Sequence, residues 1–197
     1  MKRMVFGLGA LMLAAAPVAA QDVGTVDWNG HPVVLKSDQT WYFDCGGYPA
    51  MMSQTIRMAF CFDPSVWSRG ETVGVQEFTY LSTDNTTGVT IIPDANIYPM
   101  ADLHKAVPES AATNGSTTVD KINASDAPSI IIDGRTWMGT RYTLGVEGQE
   151  FAYLDYHTSG NGFGTAQVIF WTAPGDEAQS DAKAKAFLGQ VISAKDR

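Results

Sequence analysis

Histidine is scarce in this 197-residue chain, with only His31, His104 and His157. Among them, His157 has the most suggestive neighbour. Asp155 lies two residues earlier in the run Glu-Phe-Ala-Tyr-Leu-Asp-Tyr-His. On a β-strand, residues i and i+2 point to one face, so these two side chains can act together. An imidazole beside a carboxylate is an acid–base pair that titrates near neutrality, or two ligands of a metal such as zinc. Phe151 and Tyr153 fall on the same face, which is therefore not simply polar. The plainer expectation puts Asp155 and His157 at the solvated end of their strand, beside a glycine turn. His104, near Asp102 and Lys105, reads as a surface residue of a short helix, and His31 as a turn residue before Pro32. No Gly-x-Ser-x-Gly nucleophile signature occurs. The glycine-rich run 158–164 leads from one strand into another, whereas a phosphate cradle needs a helix N-terminus after it. No cofactor is expected.

The two cysteines, Cys45 and Cys61, lack both the C-x-x-C spacing of a redox pair and a histidine nearby in sequence. In an oxidising compartment an even pair in one domain is expected to form a disulfide. Met51, Met52 and Met58 lie between or beside them. Thioethers suit copper, but without histidine or a Met-x-x-Met repeat these side chains are expected to fill gaps in a core.

Aromatic residues crowd into residues 134–172: Trp137, Tyr142, Tyr153, Tyr156 and Trp171. Three runs rich in β-branched and aromatic residues, split by glycine-bearing turns, predict an antiparallel meander there. If helices cover only one face of that sheet, these rings line a ligand groove or partner surface. If both faces are covered, the rings are core.

The remaining elements must position this meander. Residues 21–26 are expected to be a loose start. Val33–Val34–Leu35 and residues 40–43 predict a hairpin around Lys36-Ser37-Asp38-Gln39. Residues 44–62 are irregular, with a short helix expected near 50–59. A turn at 68–70 precedes a strand over 71–81, and Val89 to Ile92 gives another strand. A helix over 100–107 is expected to stop at Pro108. Strands are expected over 117–122 and 129–133. Ala184, Phe187, Leu188, Val191 and Ile192 recur at spacings of three and four, which predicts an amphipathic C-terminal helix. Asp176, Glu177 and Asp181 stand near its start, where the helix dipole favours negative charge.

Lys2 and Arg3, the apolar run from Val5 to Ala16, and Pro17-Val18-Ala19-Ala20 have the layout of a secretory signal peptide spanning residues 1–20. No later run is apolar and long enough for a membrane span. The formal charge is −8. Without a clustered basic stripe it argues against nucleic acid and anionic membrane surfaces as partners. The expectation is a soluble periplasmic protein of one compact unit, with residues 21–59 as an N-terminal hairpin and disulfide-tethered segment and 60–197 as the main domain.

Two resemblances follow from these residues. Gly30, Val33 or Val34, Leu35, Asp38, Thr40 and Trp41 match a small hairpin module near the start of many exported bacterial proteins. Gln39 departs from it, standing where that pattern has glycine. From Phe62-Asp63-Pro64 and Trp67 through the final helix, roughly residues 60–194, the element order resembles the PsbP-like fold family. That family includes the extrinsic PsbP subunit of the oxygen-evolving complex, a yeast Ran-binding import factor and small exported bacterial proteins. The resemblance implies an α+β fold, an α/β/α sandwich with a central antiparallel sheet. It also implies a role in binding or assembly, with another envelope protein as partner and no catalytic residues to carry over. The competing reading is a metal-dependent enzyme or small-molecule binder using Asp155, His157 and the aromatic face.

Overall fold

A computed structural model describes residues 20–146 and 148–193 of the chain. Apart from Ala20, the expected signal segment lies outside these residues. Strands β1 (Asp22–Trp28), β2 (His31–Lys36) and β3 (Trp41–Phe43) form a three-stranded antiparallel sheet in that order. Residues 21–26 are thus largely strand, contrary to expectation. The Asn29-Gly30 turn explains why, because both residues have positive φ and close a tight hairpin between β1 and β2.

The segment expected to be helical near 50–59 instead gives two short strands, β4 (Met51–Met52) and β5 (Met58–Phe60). They join the final strand of the chain in a second small sheet. Cys45 and Cys61 are disulfide-bonded, with their Cα atoms 5.7 Å apart. The bond ties the segment after β3 to the residue after β5.

The main sheet contains β6 (Trp67–Arg69), β7 (Phe78–Ser82), β8 (Thr87–Asp94), β9 (Ser125–Ile132), β10 (Arg135–Val146), β11 (Gln149–Gly160) and β12 (Gly164–Thr172). Its order is β6-β7-β8-β12-β11-β10-β9, antiparallel throughout. The expected meander over residues 134–172 is its core. Residues 68–69, expected as a turn, belong to β6. The strand expected over 71–81 begins only at Phe78, and Val73 and Val75 stand in solvent.

Among the described residues, two helices pack on this sheet. Helix α1 (Met100–Asn114) does not stop at Pro108 but runs through it. Proline lacks the N–H that would bond to the His104 carbonyl. Burial of Val107 and Ala111 against Tyr142 and Leu144 offsets that loss. A 3₁₀ turn replaces the strand expected over 117–122. Helix α2 (Glu177–Leu188) is held by a bidentate Arg141–Asp181 pair at 2.9 and 2.7 Å and by Lys183–Asp84 at 2.7 Å. It ends earlier than its apolar spacing predicts, because Ile192 leaves the helix and enters β13 (Ile192–Ser193), which pairs with β5.

Register assigns every ring to a face. Arg141, Leu154, Phe170 and Val89 lie opposite one another across β10, β11, β12 and β8. Their face carries α2, where Phe187 packs against Phe62, Trp67 and Phe170. Tyr142, Tyr153, Trp171 and Gly88 form the next row and point the other way, toward α1. The fold class is α+β, built on a central antiparallel sheet.

Candidate functional site

The α1 face of β11 presents Phe151, Tyr153, Asp155 and His157 in alternate positions. Its polar end is a buried chain of hydrogen bonds. Asp155 and His157 are both 0% exposed, so the solvated strand end expected for them is wrong. α1 closes over them and delivers His104 from 53 residues away. His104 Nδ1 lies 3.1 Å from His157 Nε2, and His157 Nδ1 lies 3.4 Å from the Asp155 Oδ1. His104 is therefore not the surface residue expected. Its outer nitrogen, Nε2, meets the exposed Asp126 carboxylate of β9 at 3.0 Å. At the inner end the Gln167 amide donates to Asp155 Oδ2, and Thr140 Oγ1 stands 3.3 Å from His104 Nδ1.

Each link of this chain needs one hydrogen, and imidazole nitrogens can supply or accept it. The three links among Asp126, His104, His157 and Asp155 then hold three protons, leaving one net negative charge. If Asp155 is protonated, both histidines are neutral and the charge sits on exposed Asp126. If Asp155 is ionised, the same three protons require either an imidazolium between two carboxylates or a protonated Asp126 at the outer end. Burial pushes the Asp155 carboxyl above the ordinary carboxylate range, against the pull of His157 and Gln167. The arrangement can shift charge between core and surface by moving protons along the chain. Its two inner groups, Asp155 and His157, are sealed from solvent, whereas His104 is partly exposed.

The other end of the face is aromatic. Tyr142 stacks on Tyr153 with ring centroids 4.9 Å apart. The Trp171 ring lies flat over Gly88, where a Cβ would come within 1.1 Å of the indole. Glycine at position 88 is what lets the ring rest on the backbone. Around Trp171, a cleft of about 440 Å³ is lined by Leu81, Gly88, Val146, Phe151 and Tyr153, with Asn85 and Asp176 at its rim. Leu81 and Val146 are each 38% exposed. Among the described residues, α1 packs on β10 and β11, and no helix packs to a comparable extent on the β12–β8–β7 part of this face.

The five rings expected to share a surface do not share one. Trp137 and Tyr156 are buried in the core on the α2 face, and Tyr142 is buried beneath α1. Tyr153 and Trp171 remain partly open. Strand parity accounts for the division, because Trp137 and Tyr142 are five apart and Tyr153 and Tyr156 three apart. Sequence reasoning placed Phe151 on this face but missed Leu81, Gly88, Asp126 and Gln167 at this site. The hairpin register that pairs His157 with Gln167 was the one signal for the last of these. Among the described residues, no group of three or more histidine, cysteine and acidic side chains is arranged to hold a metal ion. His31 lies elsewhere, 3.5 Å from Asp133.

No protein-family model and no curated protein matches this chain. Solved structures do. The solution structure of cyanobacterial PsbP (CyanoP) from Synechocystis sp. PCC 6803 superposes with a TM-score of 0.53 at 11% identity, covering 77% of this chain and 98% of that one. A protein of unknown function from Pseudomonas aeruginosa, PA94, gives a TM-score of 0.42 at 11% identity over 80% of this chain and 93% of its own. A Bacteroides thetaiotaomicron structure gives 0.45 at 14% identity, covering 71% of this chain and 46% of that one. At such identities the likeness to PsbP is one of fold.

Proposed function

We propose that this chain is an exported, non-enzymatic accessory protein that binds another protein of the cell envelope through the uncovered part of its main sheet. In this reading residues 1–20 are removed on export, residues 21–59 form the disulfide-tethered N-terminal unit, and residues 60–197 form an α/β/α sandwich. One outer layer of that sandwich is incomplete. The observation that carries the reading is Trp171, laid over Gly88 and flanked by exposed Leu81 and Val146. Apolar side chains grouped round an aromatic anchor, with a polar rim, are the usual make-up of a protein-binding surface. Asp176 is the charged residue lining this cleft, so the partner segment is expected to be apolar with a cation at its edge. The sealed state of Asp155 and His157 supports the non-enzymatic reading, because a catalytic base must come within hydrogen-bond reach of its substrate.

Co-purification from envelope extract tests it. Trp171→Ala and Leu81→Asp should each lose the protein retained by the unaltered chain. Ile131→Asp should keep it, since Ile131 is 77% exposed but lies on the edge strand β9. Retention unchanged by both shelf variants would overturn the reading.

A further inference from the structure

The N-terminal sheet holds a second concavity, independent of the shelf around Trp171. Alternation along β1, β2 and β3 places Val26, Trp28, Val33, Leu35, Trp41 and Phe43 on one face. That face looks across a cleft of about 530 Å³ toward the β4–β5–β13 sheet. The floor is core, with Val33 and Phe43 nearly sealed. The walls are not, since Trp28 is 42% and Trp41 52% exposed. Each tryptophan packs against Phe43, at centroid distances of 5.4 and 5.5 Å, so the aromatic walls are braced from below. A single monomer rarely leaves so much aromatic surface in one hollow without a ligand for it.

Charge narrows the ligand. Arg57 is the one charged side chain lining the cleft. Among the described residues its guanidinium has no hydrogen-bond or ion-pair partner, and only its backbone N–H is engaged, by the Phe163 carbonyl. Glu77 is engaged by Oγ of the lining residue Ser53 and by the Gln54 N–H. An unpaired cation at the rim of an apolar cleft, on a chain whose formal charge is −8, is a fixed point for an anionic head with an apolar tail below it. A volume near 530 Å³ lies within the roughly 300–1,000 Å³ of small-molecule sites, which are mostly apolar with few polar groups. We infer that the cleft binds a free long-chain carboxylate, its carboxylate on Arg57 and its alkyl chain between Trp28 and Trp41.

Titration calorimetry with saturated carboxylates of increasing chain length, kept below micelle formation, tests this on the protein as the expressing cell processes it. Affinity should rise about two- to fourfold per added methylene as the chain fills the cleft. Arg57→Gln should weaken binding about tenfold, and the alcohol of equal length should bind the unaltered protein about tenfold more weakly. Trp41→Ala should also weaken binding; as Trp41 is half exposed, its circular dichroism should stay unchanged. Trp171→Ala should leave binding as it is, which separates this site from the partner-binding shelf. Absence of heat with every carboxylate would overturn the inference. So would equal affinity for the alcohol, an unaffected Arg57→Gln variant, or binding only to anionic phospholipid vesicles.

Discussion

Asp155 is the residue at which the physics is most exacting. Its carboxyl is buried, accepts from Gln167, and faces His157. Asp155→Ala strips both partners at once, and each stranded polar group should cost about 1–3 kcal/mol. Asp155→Asn should be far milder, because its amide can donate to His157 and its oxygen accept from Gln167, as a protonated carboxyl does. Burial raises the carboxyl above its unfolded value, so its contribution is full below the ordinary carboxylate range and is lost as pH rises through the folded value. Denaturant titrations across pH should therefore show the unaltered protein losing stability relative to Asp155→Asn as pH rises. The reverse slope would mean that the imidazoles keep Asp155 ionised. Gln39 offers a second check. It sits at φ 68°, where the exported-protein hairpin pattern has glycine, and a side chain there costs about 1 kcal/mol. Gln39→Gly should stabilise the protein by up to about that amount in the same titration. Parity alone placed Asp155 and His157 on one face. No local pattern could show that α1 would close over them, since His104 and Asp126 meet them only through tertiary packing.

Helix α1 is the element that local rules misjudge. Proline at position 108 is a stop signal by propensity, yet the helix continues because Val107 and Ala111 bury on the sheet. Pro108→Ala restores an N–H for the His104 carbonyl and should stabilise the protein, by at most about 3 kcal/mol. Thermal unfolding checks it, and a lower Tm would mean that α1 depends on the bend proline imposes. The opposite error occurs at residues 71–77, where Val73 and Val75 alternate like a strand but face water, and Val73 bonds to Gln76 in a turn. Periodicity was trustworthy where partners were adjacent in sequence, as in β10–β11–β12. It failed where a partner came from elsewhere, as when Ile192 left the end of α2 to pair with β5.

At the scale of the whole molecule, the N-terminal sheet joins the body through the Cys45–Cys61 bond and a small shared core of Val33, Phe43, Ala59 and Ile192. The disulfide spans 16 residues and should contribute about 3 kcal/mol. Paired Cys45→Ser and Cys61→Ser changes should lower stability by that amount; no loss would mean that the shared core suffices. Sequence order alone indicated an α+β chain and a PsbP-like arrangement, because β7 through α2 follow one another with clear turn signals. Which half of the sheet stays uncovered was not legible, since it depends on α1 lying over β10 and β11 and stopping short of β12. That gap is the basis of the proposed binding surface, and site-specific photo-crosslinking in intact cells tests it most directly. A crosslinker at position 81 or 171 should trap one discrete envelope protein, while the same group at position 131 should trap none. Equal trapping from all three positions, or none from 81 and 171, would contradict a role for the shelf in binding.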